Sequence, residues 1–201
     1  MSGLVHLVDD QPAVLKALAR LLGAAGYTVR AYAGARDFLD ALEDGADGCL
    51  VLDLSMPGMD GLALQQALAA RAPQLPIIFL TGHGDIDSGV RAMKLGAADF
   101  LTKPVDDARL IAAIEAALEQ RRRLRGADAE LAAIRQRLAT LTPRETEVLE
   151  LLVEGLLNKQ VAAALGTAEK TVKVHRARVM AKMQVRSATA LVRLVDRARR
   201  G

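Results

Sequence analysis

The sequence predicts an α/β protein: a doubly wound, five-stranded parallel sheet of strand order 2-1-3-4-5, joined by a long helical linker to an all-α helix-turn-helix domain. Three observations carry that prediction. Up to about Leu118, short apolar runs alternate with amphipathic stretches, as in a parallel sheet covered on both faces. Four of those runs lead into a polar residue suited to phosphate or metal chemistry. Over the last 61 residues the spacing is helical throughout.

The elements follow in order. Leu4–Val8 reads as the first strand and runs into Asp9-Asp10. Pro12 suits a first helical turn, where its missing N–H has no partner to lose, and opens a helix to Ala24 that Gly23 and Gly26 bring to a stop. Thr28–Tyr32 is the second strand, Ala35–Leu42 the second helix. Cys49–Leu52 runs into Asp53 and is followed by a helix over Gly61–Ala70. Ile77–Leu80 runs into Thr81, with a helix over Ile86–Leu95. Asp99–Leu101 leads to Thr102, Lys103 and Pro104, and a fifth helix starts near Asp106.

From Asp106 to Leu138 there is no proline and one glycine, Gly126. Leu110, Ala117, Leu124, Leu131 and Leu138 recur every seven residues, with Ile134 and Leu141 at companion positions. This is a heptad-like seam, open to two readings: pairing with a second copy, or packing on its own domain, as expected for Ile111, Ile114 and Leu118. Arg121-Arg122-Arg123 reads as a solvated linker face.

Beyond the linker, Thr142-Pro143-Arg144-Glu145 has the form of a capping box with proline at N1. That helix ends near Gly155. Asn158 is expected to cap a short helix, Lys159–Leu165, Thr167 a third over Ala168–Met183, and Ser187 a fourth over Ala188–Arg199. Two helices joined by the tight Leu165-Gly166-Thr167 turn read as helix-turn-helix. The domains are expected at 1–120 and 140–201, with the linker at 121–139.

Composition narrows the class. Apolar residues make up 51% of the 201 but aromatics only 2%, which favours aliphatic helical layers and argues against disorder. No apolar run reaches the roughly 18 residues that span a bilayer. The N-terminus lacks signal-peptide architecture. The single cysteine, Cys49, lies mid-strand and reads as a core residue. A cytoplasmic protein is expected. Residues 1–120 carry 9 Lys/Arg and 16 Asp/Glu, net −7; residues 121–201 carry 18 and 8, net +10. An acidic front and a basic rear suggest different partners, with a polyanion a candidate for the rear.

In an open parallel sheet, ligands bind beyond the carboxyl ends of the strands where strand order reverses. Asp9, Asp10, Asp53, Thr81 and Lys103 gather there. Crowded carboxylates repel one another; Mg²⁺ relieves this and prefers oxygen ligands. One carboxylate can then act as nucleophile toward phosphorus, with Lys103 as counter-charge and Thr81 as hydrogen-bond donor. Taken singly, each residue also has a plain reading: Asp9-Asp10 as a helix cap, Thr81 as a turn residue, Lys103 as a surface charge. In the rear, Val172, Val179 and Met183 share one helical face. Lys170, Lys173, Val174, Ala177 and Ala181 lie toward the other, where small side chains beside cations permit entry into a major groove. Lys159, Arg176, Arg178, Lys182 and Arg186 are in reach of phosphates.

Val8-Asp9-Asp10, the run Asp53-Leu54-Ser55-Met56-Pro57-Gly58-Met59-Asp60-Gly61, Leu80-Thr81-Gly82-His83-Gly84-Asp85 and Lys103-Pro104 resemble the receiver domain of bacterial two-component response regulators. Leu141–Leu149, Gly155–Lys159 and Thr171–Arg176 resemble the LuxR-type DNA-binding domain, and the whole chain resembles the FixJ-type subfamily. The resemblance implies that Asp53 takes a phosphoryl group from a sensor histidine kinase. It implies Mg²⁺ on Asp10, Asp53 and the Ser55 carbonyl, with Asp9 close by or acting through water. Lys103 and Thr81 would bind the phosphoryl oxygens, Phe100 would be an aromatic switch, and Lys103-Pro104 is often cis. Lys173, Val174 and Ala177 would occupy base-reading positions, beside Lys170, Thr171, Arg176, Arg178 and Lys182. A stripe of Leu191, Leu194 and Val195, expected to be exposed, resembles a dimerisation helix.

The function so implied is phosphorylation-activated DNA binding by a transcription regulator, not an enzyme. The phosphorylated form is expected to be a homodimer on double-stranded promoter DNA, with RNA polymerase a candidate further partner. Two rival functions share some of these features. A Mg²⁺ phosphatase of haloacid-dehalogenase type would carry a second aspartate where Ser55 stands. An adaptor would use the basic rear to bind a protein. His83 reads as a loop or hydrogen-bonding residue.

Overall fold

The computed structural model describes residues 3–43, 45–82 and 86–200, the side chain of Ile86 excepted. His83, with Gly84 and Asp85, lies outside the described residues. Two compact units divide between Arg123 and Leu124.

In the first unit, strands β1 (Leu4–Val8), β2 (Thr28–Tyr32), β3 (Cys49–Asp53), β4 (Ile77–Thr81) and β5 (Asp99–Thr102) form one sheet of order β2-β1-β3-β4-β5. Every pairing is parallel. Helices α1 (Pro12–Ala24), α2 (Ala35–Ala41), α3 (Gly61–Arg71), α4 (Ile86–Lys94) and the front of α5 (Asp107–Ala139) complete the unit. The alternation of side chains along each strand splits the core in two. Val8, Leu50, Leu52 and Phe79 pack with Phe38 of α2, Leu64 and Leu68 of α3 and Ala92 of α4. Val5, Leu7, Cys49, Val51, Ile78 and Leu80 face the other way, against Leu22 of α1 and Leu110, Ile114 and Ala117 of α5. This is why β3 and β4 read as unbroken apolar runs: both faces are covered. Cys49 is buried, and burial pushes its thiol up to about 12.

In the second unit, α6 (Pro143–Val153), α7 (Asn158–Ala164), α8 (Glu169–Lys182), α9 (Ala188–Arg200) and the rear of α5 enclose a third core. It is built from Ile134, Val148, Leu149, Leu152, Val161, Val172, Val179, Met183, Leu191 and Val195. The capping box is formed: Glu145 N–H donates to Thr142 Oγ1 at 3.3 Å and Thr142 N–H to Glu145 Oε2 at 2.9 Å. Ser187 caps α9, its Oγ accepting from Ala190 N–H at 3.1 Å.

Four expectations need correction. Asn158 is the first residue of α7 and not its cap; Leu157 holds that place, and its N–H is taken by Gln160 Oε1 at 2.8 Å. Thr167 does not cap α8, which starts after Ala168. Arg121 is not solvated: its guanidinium is buried, bonded to the Ala46 and Gln74 carbonyls and to Asp47 Oδ1. Leu191 and Val195 are buried and Leu194 is half-buried in the third core, because one amphipathic stripe closes the four-helix module before it offers anything to a partner. The heptad seam serves two cores, Leu110 and Ala117 in the first unit and Ile134 and Leu138 in the second, while Leu124 is 51% exposed.

Candidate functional site

The carboxyl ends of β1, β3, β4 and β5 converge on one rim. Each strand stops where its apolar run meets a polar residue: Asp9 just past β1, Asp53 as the last residue of β3, Thr81 as the last of β4 and Lys103 just past β5. Register places Asp53 beside Leu80 and Thr81 beside Thr102, with Lys103 N–H donating to the Thr81 carbonyl at 2.6 Å.

Carboxylate oxygens of Asp9, Asp10 and Asp53 lie within 4.8 Å of one another. Asp9, Asp53 and Thr81 are buried. The Lys103 ammonium bridges two of the acids, 2.6 Å from Asp9 Oδ2 and 3.2 Å from Asp53 Oδ2. The other Asp9 oxygen accepts from Gln11 N–H at 2.8 Å, so this residue also trims the start of α1. Asp53 Oδ1 receives the longer 3.4 Å bond from Ser55 N–H. Gly61, at the head of α3, lies directly beneath: a Cβ there would stand 2.6 Å from the Asp53 carbonyl oxygen. Only a bare Cα lets the helix approach the strand end so closely.

Burial pushes the Asp53 carboxyl above its ordinary value, and the charge of Asp9 adds to this against the pull of Lys103. For Lys103, burial works against the ammonium, but the bond to Asp9 and the charges of Asp53 and Asp9 outweigh it and raise the group. One lysine is thus paired with two members of a three-acid cluster. Asp10 Oδ1 is buried with no hydrogen-bond partner among the described residues. An orphaned carboxylate oxygen in an all-oxygen cluster is the donor set of a hard divalent cation such as Mg²⁺, so the residues fit that ion.

Phe100 stands opposite Phe79 in the β4–β5 register, ring centroids 6.4 Å apart. Its half-buried ring lies along α4, where a Cβ on Gly89 would be 3.2 Å away. The Lys103-Pro104 bond is cis. Gln65 is absent from the sequence reading; it is buried and donates to the Ala92 and Leu95 carbonyls at 3.2 Å. It ties α3 to the end of α4, and nothing in its local sequence signals partners so far along the chain.

On α8, Val172, Val179 and Met183 are buried. Lys170, Thr171, Lys173, Val174, Ala177, Arg178 and Ala181 are exposed, as are Lys159 and Arg186. Lys173 has an exposed partner, Glu169, at 3.1 Å, a contact of little worth in water. Lys182 differs. Its ammonium is committed to buried Glu145 at 2.6 Å and to the Thr140 carbonyl at 2.9 Å, so it locks α8 to α6 and is not free to reach outward. Arg176, half-buried, donates to Asn158 Oδ1 at 2.9 Å.

Comparison with known proteins agrees with both halves of this geometry. Residues 5–115 match the response regulator receiver domain, and residues 139–195 the bacterial regulatory proteins of the luxR family. The chain is 44% identical over 196 residues to the transcriptional regulatory protein FixJ of Bradyrhizobium diazoefficiens, covering 98% of this chain and 96% of that one. It is 41% identical over 196 residues to the response regulator protein TodT of Pseudomonas putida, covering 98% and 86%. Among solved structures, the response regulator StyR superposes with a TM-score of 0.88 at 46% identity, over 96% of this chain and 98% of that one. Full-length FixJ from B. japonicum gives 0.61 at 42% identity, over 99% and 98%.

Proposed function

Since this chain belongs to the response regulators that join a receiver domain to a LuxR-type DNA-binding domain, and is a phosphorylation-activated transcription regulator, we propose that Asp53 is its phosphoacceptor. The observation that carries the proposal is the Lys103 ammonium, held between Asp9 and Asp53 beside the orphaned oxygen of Asp10. Asp53 Oδ attacks the phosphorus of a phosphohistidine on the kinase; the P–N bond breaks as the P–O bond forms, and the imidazole leaves. Lys103 turns from Asp53 to the arriving oxygens, and Thr81 donates its hydroxyl to one of them. Such transfer is mostly positioning and electrostatics. Asp9, Asp10, Asp53 and the Ser55 carbonyl would hold Mg²⁺, which when bound offsets the charge of the acids and of the phosphoryl group.

The covalent anion then draws Thr81 inward. Phe100, opposite Phe79 on β5 and against α4, follows into the space so opened. The surface of α4, β5 and the front of α5 changes shape and pairs with a second copy. Two DNA modules thereby engage two half-sites, with Lys173, Val174 and Ala177 facing base edges and Lys159, Lys170, Thr171 and Arg178 at the backbone. A tenfold gain in affinity takes only about 1.4 kcal/mol, within reach of such a rearrangement.

Mass spectrometry of the chain incubated with acetyl phosphate and Mg²⁺ tests this. A single added phosphoryl group on Asp53 is expected, absent in Asp53→Asn. The phosphodonor should raise affinity for duplex DNA in the wild type and leave Asp53→Asn unchanged. An Asp53→Asn protein that gained affinity equally would overturn the assignment.

A further inference from the structure

We propose that Asn158 is a positioning residue for DNA binding: its side-chain oxygen holds the Arg176 guanidinium at the start of α7, so that Arg176 contacts a DNA phosphate there. The inference rests on the DNA-binding reading above and adds to it a residue pair bridging the two helices of the helix-turn-helix.

Helical spacing sets the problem. Arg176 comes four residues after buried Val172 and three before buried Val179. It therefore sits on the inner flank of α8, away from the centre of the exposed face at Val174, Ala177 and Ala181. A charge on that flank must leave the core or find a partner. The partner is Asn158 Oδ1, 2.9 Å from Arg176 Nη1.

The chemistry of the partner is the telling point. Several cations of this module are tied by carboxylates: Lys182 by Glu145, Lys173 by Glu169, Arg144 by Glu147, Arg197 by Glu130 and Arg199 by Glu150. Among the described residues Arg176 has no carboxylate within salt-bridge distance. It is oriented by a neutral amide, which occupies one of five N–H donors and cancels none of the charge. A stitch meant only to join two helices would gain from an acid at that place. A neutral tether fixes a guanidinium and leaves its fork charged for a polyanion, and planar phosphate recognition is what that fork suits.

The place agrees. Asn158 opens α7, the first helix of the pair, and in this motif the first helix crosses the DNA backbone. Exposed Lys159 follows directly. The same bond explains why Asn158 does not cap α7: its oxygen is engaged with α8, and the cap position falls to Leu157.

Binding of the full chain to a mixed-sequence duplex, measured across a range of salt with acetyl phosphate and Mg²⁺ present, tests the pair. Arg176→Gln keeps an amide donor for Asn158 but removes the charge; the salt slope should fall by about one counterion. Asn158→Ala keeps every charge and frees the guanidinium; affinity should drop about three- to tenfold, the size of one lost hydrogen bond. Placed on an Arg176→Gln background, Asn158→Ala should cost nearly nothing. Asn158→Asp should preserve the melting temperature and lower the salt slope, because the tether now neutralises the contact. A slope unchanged in Arg176→Gln, or an Asn158→Ala loss of equal size in both backgrounds, would overturn the proposal and leave a structural stitch. A wild-type chain without salt-dependent duplex binding would overturn the DNA reading and this inference with it.

Discussion

At the scale of single residues, the phosphoryl site is a set of charges held in mutual tension. Burial raises the Asp53 carboxyl above its ordinary value. The folded state thus binds that proton more tightly than the unfolded chain, and ionisation at neutral pH costs folding free energy. A neutral isostere removes the cost. Asp53→Asn is expected to raise Tm by about 2–4 °C, the change that ~1 kcal/mol makes in a chain of this length, as read by differential scanning calorimetry. Lys103→Ala should act the opposite way. It strips the ammonium from two buried oxygens, a loss of about 1–3 kcal/mol. The two substitutions share a partner, so their effects should not add: in the double variant the Lys103→Ala penalty shrinks, since one acid fewer is left crowded. An additive double variant would mean that Lys103 and Asp53 do not feel each other.

At the scale of elements, strand ends were legible and helix starts less so. A buried parallel strand is bounded by where apolarity stops, and Asp9, Asp53 and Thr81 mark those stops in plain sequence. A helix start is decided by backbone dihedrals and by rivals for the capping oxygen. Thr142 and Ser187 won that competition; Asn158 lost its oxygen to Arg176, eighteen residues on. The burial of Arg121 is hidden from local sequence for a related reason. Its three partners, Ala46, Asp47 and Gln74, come from loops far away in sequence, and the neighbouring arginines made a solvated run the natural reading. The α6–α8 lock offers a test at this scale. The Lys182 ammonium and the Thr142 N–H hold the Glu145 carboxyl down at about 2. A depressed carboxyl contributes stability that is complete above its unfolded value near 4.5 and is lost as pH falls toward about 2. Lys182→Met should therefore melt lower than wild type at neutral pH, and the gap should close between about pH 4.5 and pH 2. Circular dichroism melts of both proteins across that range decide it; a gap independent of pH would mean that Lys182 stabilises by packing alone.

For the molecule as a whole, the proposed pairing of two copies needs an exposed apolar surface. Seven-residue recurrence along α5 suggested a seam, but periodicity reports that a face is apolar without saying what covers it. Leu110 and Ala117 are spent inside one core and Ile134 and Leu138 against another, so Leu124 is the one exposed member of that set among the described residues. One exposed leucine does not make knobs-into-holes packing, which needs a repeated pair of positions on each turn. The exposed apolar groups cluster elsewhere: Val90 and Met93 on α4, with Leu95 just after it, are each nearly half exposed. That is the helix against which Phe100 lies, so under the proposed switch a change at the phosphoryl site would reach this surface through one ring. Burying a methionine side chain contributes about 1.5–3 kcal/mol, and each 1.4 kcal/mol is a factor of ten. Met93→Glu should accordingly weaken phosphodonor-induced self-association about tenfold or more in analytical ultracentrifugation, while Leu124→Ser leaves it within about twofold. The added group on Asp53 should persist in both variants, which separates a lost interface from a lost phosphoryl site. Self-association that survived Met93→Glu and vanished with Leu124→Ser would return the pairing surface to the linker helix.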